Sequence, residues 1–160
     1  MSSVAASGCM SLQIDRFRDL IASTAAFQNW CGVTTKSAAL EYVASDRVTK
    51  KNIRNPMIVV AEESFRWKYT AYNSSVVLVC LFRAEIPRSL LEEDASPQID
   101  FRNHRDAIIK EVIETGFGDD YGLPWDIENA AEPLSPIIRS GKTEEVDVLE
   151  HWIRFSYGIR

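Results

Sequence analysis

The apolar positions of this chain keep a helical period at first, then a period of two, then a helical period again, and end on two. In "SLQIDRFRDLIASTAAFQNWCG", Ile14, Phe17, Leu20 and Ile21 fall on one helical stripe, with Ser11 placed to cap it. Ser23 or Thr24 starts a second short helix, with Phe27 and Trp30 at i and i+3 and Gly32 as its stop. "TTKSAALEYVA" predicts a third, capped by Thr35, with Leu40 and Val43 turned inward.

The period then changes. "MIVVAEES" follows Pro56 as a strand, and "FRWKYTAY" alternates with Phe65, Trp67 and Tyr69 on one side. "NSS" supplies a turn, and "VVLVCLFRAEI" is almost continuously apolar. On one of its faces lie Val76, Leu78, Cys80, Phe82, Ala84 and Ile86; the other is apolar through Leu81 and then carries Arg83 and Glu85. Segments 57–64, 65–72 and 76–86 therefore predict an antiparallel meander. Ser96 and Pro97 open a long helix to Gly116, whose inner face is Phe101, Ile108, Ile109, Val112 and Ile113. "WDIENAA" predicts a short strand, residues 132–145 a long loop, and "VDVLEHWIRFSYGIR" a closing strand with Ile153, Phe155, Tyr157 and Ile159 on its inner side.

Helices, then strands, then one long helix and two more strands imply an α+β fold. The expected sheet is mainly antiparallel, of about four to five strands, packed against the N-terminal helices and the long helix. The closing strand is expected to join the sheet late and to pack on the long helix. The 160 residues suit one domain over residues 11–160, preceded by a flexible leader over 1–10. "ASGC", ending at Cys9, has the outline of a lipoprotein cleavage box, but no Lys or Arg opens the segment and no apolar core precedes the cysteine. No apolar run approaches the roughly 20 residues of a membrane span.

Composition narrows the function. With 46% hydrophobic and 26% charged residues the chain can build an ordinary core, and its net charge of −5 disfavours broad nucleic-acid binding. Cys9, Cys31 and Cys80 form no C-x-x-C pair and are odd in number, which argues against a disulfide framework or zinc site. The two histidines, His104 and His151, belong to no H-E-x-x-H and read as structural or surface residues. No G-x-S-x-G elbow occurs, and "GFGDDYG" follows a helix and lacks the lysine of a phosphate loop. The carboxylate pairs Glu62–Glu63, Glu92–Glu93–Asp94, Asp119–Asp120 and Glu144–Glu145 read mostly as solvated loops. No catalytic residue, metal ligand or cofactor site is assigned. Two charged segments stand out as candidate contacts: a basic loop with Arg47, Lys50, Lys51 and Arg54, and the acidic run Glu92, Glu93 and Asp94. The stripe Phe65, Trp67 and Tyr69 reads as core packing or as an interaction surface.

The order of segments resembles the tail-completion or tail-terminator (neck) proteins of long-tailed bacteriophages and related prophage proteins. The resemblance rests on "FRDLIASTAAFQNWCG", the proline-led "NPMIVVAEES", "VVLVCLFRAEIP", "FRNHRDAIIKEVIETG" and the closing "HWIRFSYGIR". It spans residues 11–160; "PRSLLEEDASP" and the 132–145 loop depart from the pattern. The resemblance implies a non-enzymatic virion protein, assembled in the host cytoplasm, that forms a ring, commonly a hexamer. Such a ring caps the tail tube and joins it to the head–tail connector, and DNA passes through the lumen without specific binding. In a head-to-tail ring, the basic loop would face the acidic run of the next subunit. The alternatives are another head-closure or minor tail component, or a small cytoplasmic ligand-binding domain or enzyme whose cleft is lined by the aromatic stripe.

Overall fold

The computed structural model describes residues 10–45, 54–66, 75–116, 124–129, 137–140 and 145–158. The chain forms α1 (Met10–Ser23), α2 (Ala25–Cys31), α3 (Lys36–Ala39) with a following 3-10 turn (Leu40–Tyr42), β1 (Val43–Ser45), β2 (Met57–Arg66) and β3 (Ser75–Pro87). There follow α4 (Arg88–Glu93), α5 (Ser96–Gly116), β4 (Pro124–Asn129), β5 (Ile137–Ser140) and β6 (Glu145–Gly158). The fold is α+β, as the alternating periods require.

Among the described residues the sheet has six strands in the order β1-β2-β3-β6-β4, with β5 also paired to β6. β1 runs parallel to β2 and every other pair is antiparallel. Four to five strands were expected, and the surplus has two sources. Val43 and Ala44, read as the end of a helix, leave the 3-10 turn and, with Ser45, pair with Ile58–Val60. A three-residue strand has too little pattern of its own to be seen, so its tertiary partner decides it. Ile137–Ser140, read as loop, pairs with Glu145–Val148.

The meander also changes. Segments 57–64 and 65–72 are not separate strands where they are described, because β2 continues to Arg66, with Phe65 opposite Val76. A register shift between Glu62 and Ser64 falls where the sequence pattern changes, and a bulge gives the same break in alternation as a turn. Trp67, Tyr69 and the rest of the predicted second strand lie outside the described residues.

The closing strand joins the sheet, as expected, and is paired along both of its sides. β6 pairs with β3 from Ser75↔Gly158 to Pro87↔Val146 on one side, and with β4 and β5 on the other. Its alternation places Leu149, Ile153 and Phe155 in the core. Phe155 packs against Phe17 of α1 with ring centroids 4.9 Å apart and the planes tilted by 56°, so the strand packs on the first helix as well as on the cluster that holds Ile108 and Val112 of α5. Tyr157's side chain and Ile159 fall outside the description.

One cluster unites Ile14, Phe17, Leu20 and Ile21 of α1, Phe27 of α2, Ala39 of α3 and Phe101, Ile108 and Val112 of α5 with the sheet. The sheet contributes Ile58, Val60, Leu78, Cys80, Phe82, Ala84, Leu149, Ile153 and Phe155. In a strand, alternate residues share a face, so these helices all cover one side of the sheet. Full burial of each large apolar side chain stabilises the fold by about 1.5–3 kcal/mol before entropy is charged against it. In α5, Ile109 and Ile113 are only half-buried. The inner stripe is therefore narrower than expected.

Candidate functional site

α2 is short, and it is held by contacts at both ends. Thr24 caps it, its hydroxyl accepting from the Phe27 amide, and Glu111 of α5 accepts from the Ala25 and Ala26 amides at 3.0 and 2.7 Å. The first three amides of the helix, which lack partners within it, are thus satisfied. Gly32 closes the other end at φ 72°, a left-handed conformation that suits glycine. These contacts fix Trp30 against four rings. It packs edge-on to Phe101 at 5.8 Å and to Phe27 at 6.3 Å, tilts against Phe82 at 6.3 Å, and stacks on His104 at 6.1 Å.

Beside this aromatic group opens a cleft of about 420 Å³ between α2, α4, α5 and the end of β3. Trp30, Pro56, Ile86, Pro87, Leu90, Pro97 and Phe101 give it apolar walls; Asn55, Glu85, Asp100 and His104 are its polar members. Two of these polar groups are already engaged. Asn55 donates to the Glu85 carbonyl at 2.9 Å and accepts from the Glu85 amide at 2.8 Å. The Glu85 carboxylate meets the Arg83 guanidinium at 2.7 Å. Asp100 has no ion pair among the described residues. The side chains of the predicted stripe, Phe65, Trp67 and Tyr69, lie outside the described residues. Sequence reading missed it because its walls come from four separated segments, with no local signature.

A second cleft of about 360 Å³ lies at the sheet edge, lined by Arg18, Leu40, Glu41, Val43, Ala44, Ser45 and Arg54. Arg18 donates to the Val43 carbonyl from Nε (3.1 Å) and Nη2 (2.8 Å), so a helix side chain occupies an acceptor of the short strand β1.

The predicted contact residues are placed as follows. Arg54 is exposed and lines the second cleft. Arg47, Lys50 and Lys51 lie outside the described residues. Glu92 and Glu93 are exposed at the end of α4, and Asp94 follows them. Asp94 also has a local role. Its carboxylate accepts from the Ser96 amide at 2.6 Å and bonds the Ser96 hydroxyl, which holds it below the usual carboxylate range. The predicted N-cap of α5 is thus corrected: Ser96 is already helical, the Ala95 carbonyl accepts the first helical bond from Ile99, and the side-chain acceptor at this terminus is Asp94. The first helix likewise starts at Met10, ahead of Ser11.

His151 lies in the middle of β6, buried and facing the helices, where Arg105 of α5 contacts its Nδ1. Burial lowers its proton affinity first; Arg105 and Arg102 lower it further, and Asp106 opposes them. Burial likewise raises the Cys31 thiol to about 12 and raises Cys80 further, so neither is a thiolate at neutral pH. Among the described residues, no group of three or more His, Cys, Asp or Glu is placed to hold a metal ion, and no helix is long and apolar enough to cross a membrane.

The far side of the sheet is the third notable surface. Opposite the helices, Leu81 of β3 stands against Trp152 of β6, and Val79 against Arg154. Trp152 is 41% exposed, and Val77, Val79 and Leu81 are half-buried. Farther along this face Arg83 is buried, bonded to Glu85 and 3.5 Å from Glu150 across the strand pair. The sequence matches no protein-family model and no curated protein.

Proposed function

We propose that this chain is a structural subunit of a phage or prophage neck, a ring-forming tail terminator that caps the tail tube and joins it to the head–tail connector. The observation that carries this reading is the sheet face opposite the helices. There, Trp152 is exposed beside half-buried Val77, Val79 and Leu81. An aromatic residue on an apolar surface with charged neighbours has the composition of a protein–protein contact. The α+β fold, with the aromatic final strand at the centre of its sheet, agrees with the segment order that suggested the resemblance.

In this reading the subunits associate head to tail, commonly six to a ring, so two different surfaces of one chain must be complementary. The basic segment of Arg47, Lys50, Lys51 and Arg54 supplies one, and Glu92, Glu93 and Asp94 of the next subunit supply the other. Exposed ion pairs are each worth only about 0–1 kcal/mol, so apolar burial provides most of the association and the charges set its direction. The subunit acts in the virion neck, with DNA passing through the ring unbound.

Size-exclusion chromatography with light scattering, run with and without purified tail tubes, tests the reading. A ring, either free or formed on the tube, is the expected result. A chain that stays monomeric at high concentration and ignores tail tubes would overturn it.

A further inference from the structure

The cleft beside Trp30 carries an inference that does not depend on ring formation. Its volume of about 420 Å³ falls within the range of about 300–1,000 Å³ typical of ligand pockets. Most of its walls are apolar, and Leu90 in its lining is 47% exposed.

The carboxylates of its lining are Glu85 and Asp100, and among the described residues no lysine or arginine lines it. Arg83 and Arg88, which flank its β3 wall in sequence, are engaged, Arg83 on Glu85 and Glu150 and Arg88 with its Nε 3.6 Å from Asp147. Asp100 in the wall, and Glu92 and Glu93 on the same short helix as Leu90, have no ion pair among the described residues. An apolar trough whose wall holds the exposed Asp100 carboxylate is complementary to a cation on an apolar stem.

We infer that this cleft docks a short segment of a partner protein in which a basic side chain stands next to apolar ones. The apolar residues enter between Trp30, Ile86, Leu90 and Phe101, and the cation reaches Asp100. Trp30 already stacks on His104 and tilts against Phe82, so its ring forms a wall rather than an open face for a lone cation.

The test uses a fluorescein-labelled peptide of alternating leucine and arginine, and a second in which every arginine is glutamate, in an anisotropy titration of the full chain. The basic peptide should bind saturably and the acidic one should not. Asp100→Lys and Leu90→Lys should each weaken binding at least tenfold; both positions are exposed, so a thermal melt should find the variants folded. Glu41→Lys, an exposed charge reversal in the other cleft, should leave binding unchanged. Amide and indole NMR shifts in the wild type should cluster on Trp30, Leu90 and Phe101. Equal binding of the two peptides, no binding of either, or a Glu41→Lys effect as large as that of Asp100→Lys would overturn the inference. So would saturation of the cleft by n-butylammonium that the peptide cannot displace, which would make it a site for small organic cations.

Discussion

Asn55 holds Glu85 by two backbone hydrogen bonds: its side-chain amide donates to the Glu85 carbonyl at 2.9 Å, and its side-chain oxygen accepts from the Glu85 amide at 2.8 Å. A side chain thus does the work of a strand neighbour. It ties the segment before β2 to the last turnable stretch of β3, just where the chain enters α4. Both residues also line the aromatic cleft, so the tie shapes one of its walls.

Asn55→Ala removes both bonds, and Asn55→Asp removes the donor while placing a carboxylate against the Glu85 carbonyl. A hydrogen bond contributes about 0.5–1.5 kcal/mol net, and these two are solvent-accessible. The alanine variant should lose about 1–2 kcal/mol and the aspartate variant at least as much. Urea unfolding checks this: the midpoint should fall with the slope unchanged. A midpoint equal to wild type would mean that water replaces the tie at no cost.

His151 gives the fold a dependence on pH whose sign follows from its surroundings. Burial and the neighbouring Arg105 hold its folded pKa below the ordinary 6.5. As pH falls through that ordinary value, the unfolded chain takes a proton that the folded chain refuses. Stability contributed by the neutral imidazole is therefore complete above about pH 7 and drains away as pH drops toward the folded pKa, by at most about 1.4 kcal/mol per pH unit. Urea midpoints at pH 7.5 and 5.5 should differ more in wild type than in His151→Gln, which cannot titrate. An equal pH slope in the two proteins would assign the acid sensitivity to other groups.

The helices and the central strands were legible because their periods are long. Ile14, Phe17, Leu20 and Ile21, and again Leu78, Cys80, Phe82 and Ala84, announce one face apiece and are buried as their spacing requires. The caps at Thr24 and Thr35 were legible from residue type and position. What escaped was decided by tertiary partners. Three residues at Val43 have no period of their own, and the bulge after Glu62 looks like a turn when its partner strand is unknown. The place of β6 could not be read either, since alternation gives faces but not neighbours. The cleft is the extreme case: Trp30, Asn55, Leu90 and Phe101 meet only after folding.

The paired caps on α2 predict a measurable coupling. Thr24 satisfies the Phe27 amide, while Glu111 satisfies those of Ala25 and Ala26 from the far side of the core. Removal of a capping group costs about 0.5–2 kcal/mol. Thr24→Ala and Glu111→Ala should each fall in that range. The double variant should lose less than their sum, because once the first turn frays the second contact has less to hold. Chemical denaturation of the four proteins completes the cycle, and strict additivity would show that the two caps act on separate turns.

Trp152 offers the sharpest test of the proposed assembly surface. It stands opposite Leu81 on the sheet face turned away from the core helices, and 41% of it is exposed. A lysine there retains an aliphatic stem over Leu81, so the isolated fold should lose little, about 1 kcal/mol or less. If the face is buried between subunits, the same substitution places a charge in an apolar contact, where aromatic anchors typically contribute 2 kcal/mol or more on truncation. Trp152→Lys should therefore keep a near-normal melting temperature as a monomer yet lose at least tenfold in assembly, read by light scattering and by tail-tube binding. Assembly at wild-type concentrations would remove this face from the interface and leave the charged segments at Arg54 and Glu92 to account for it alone.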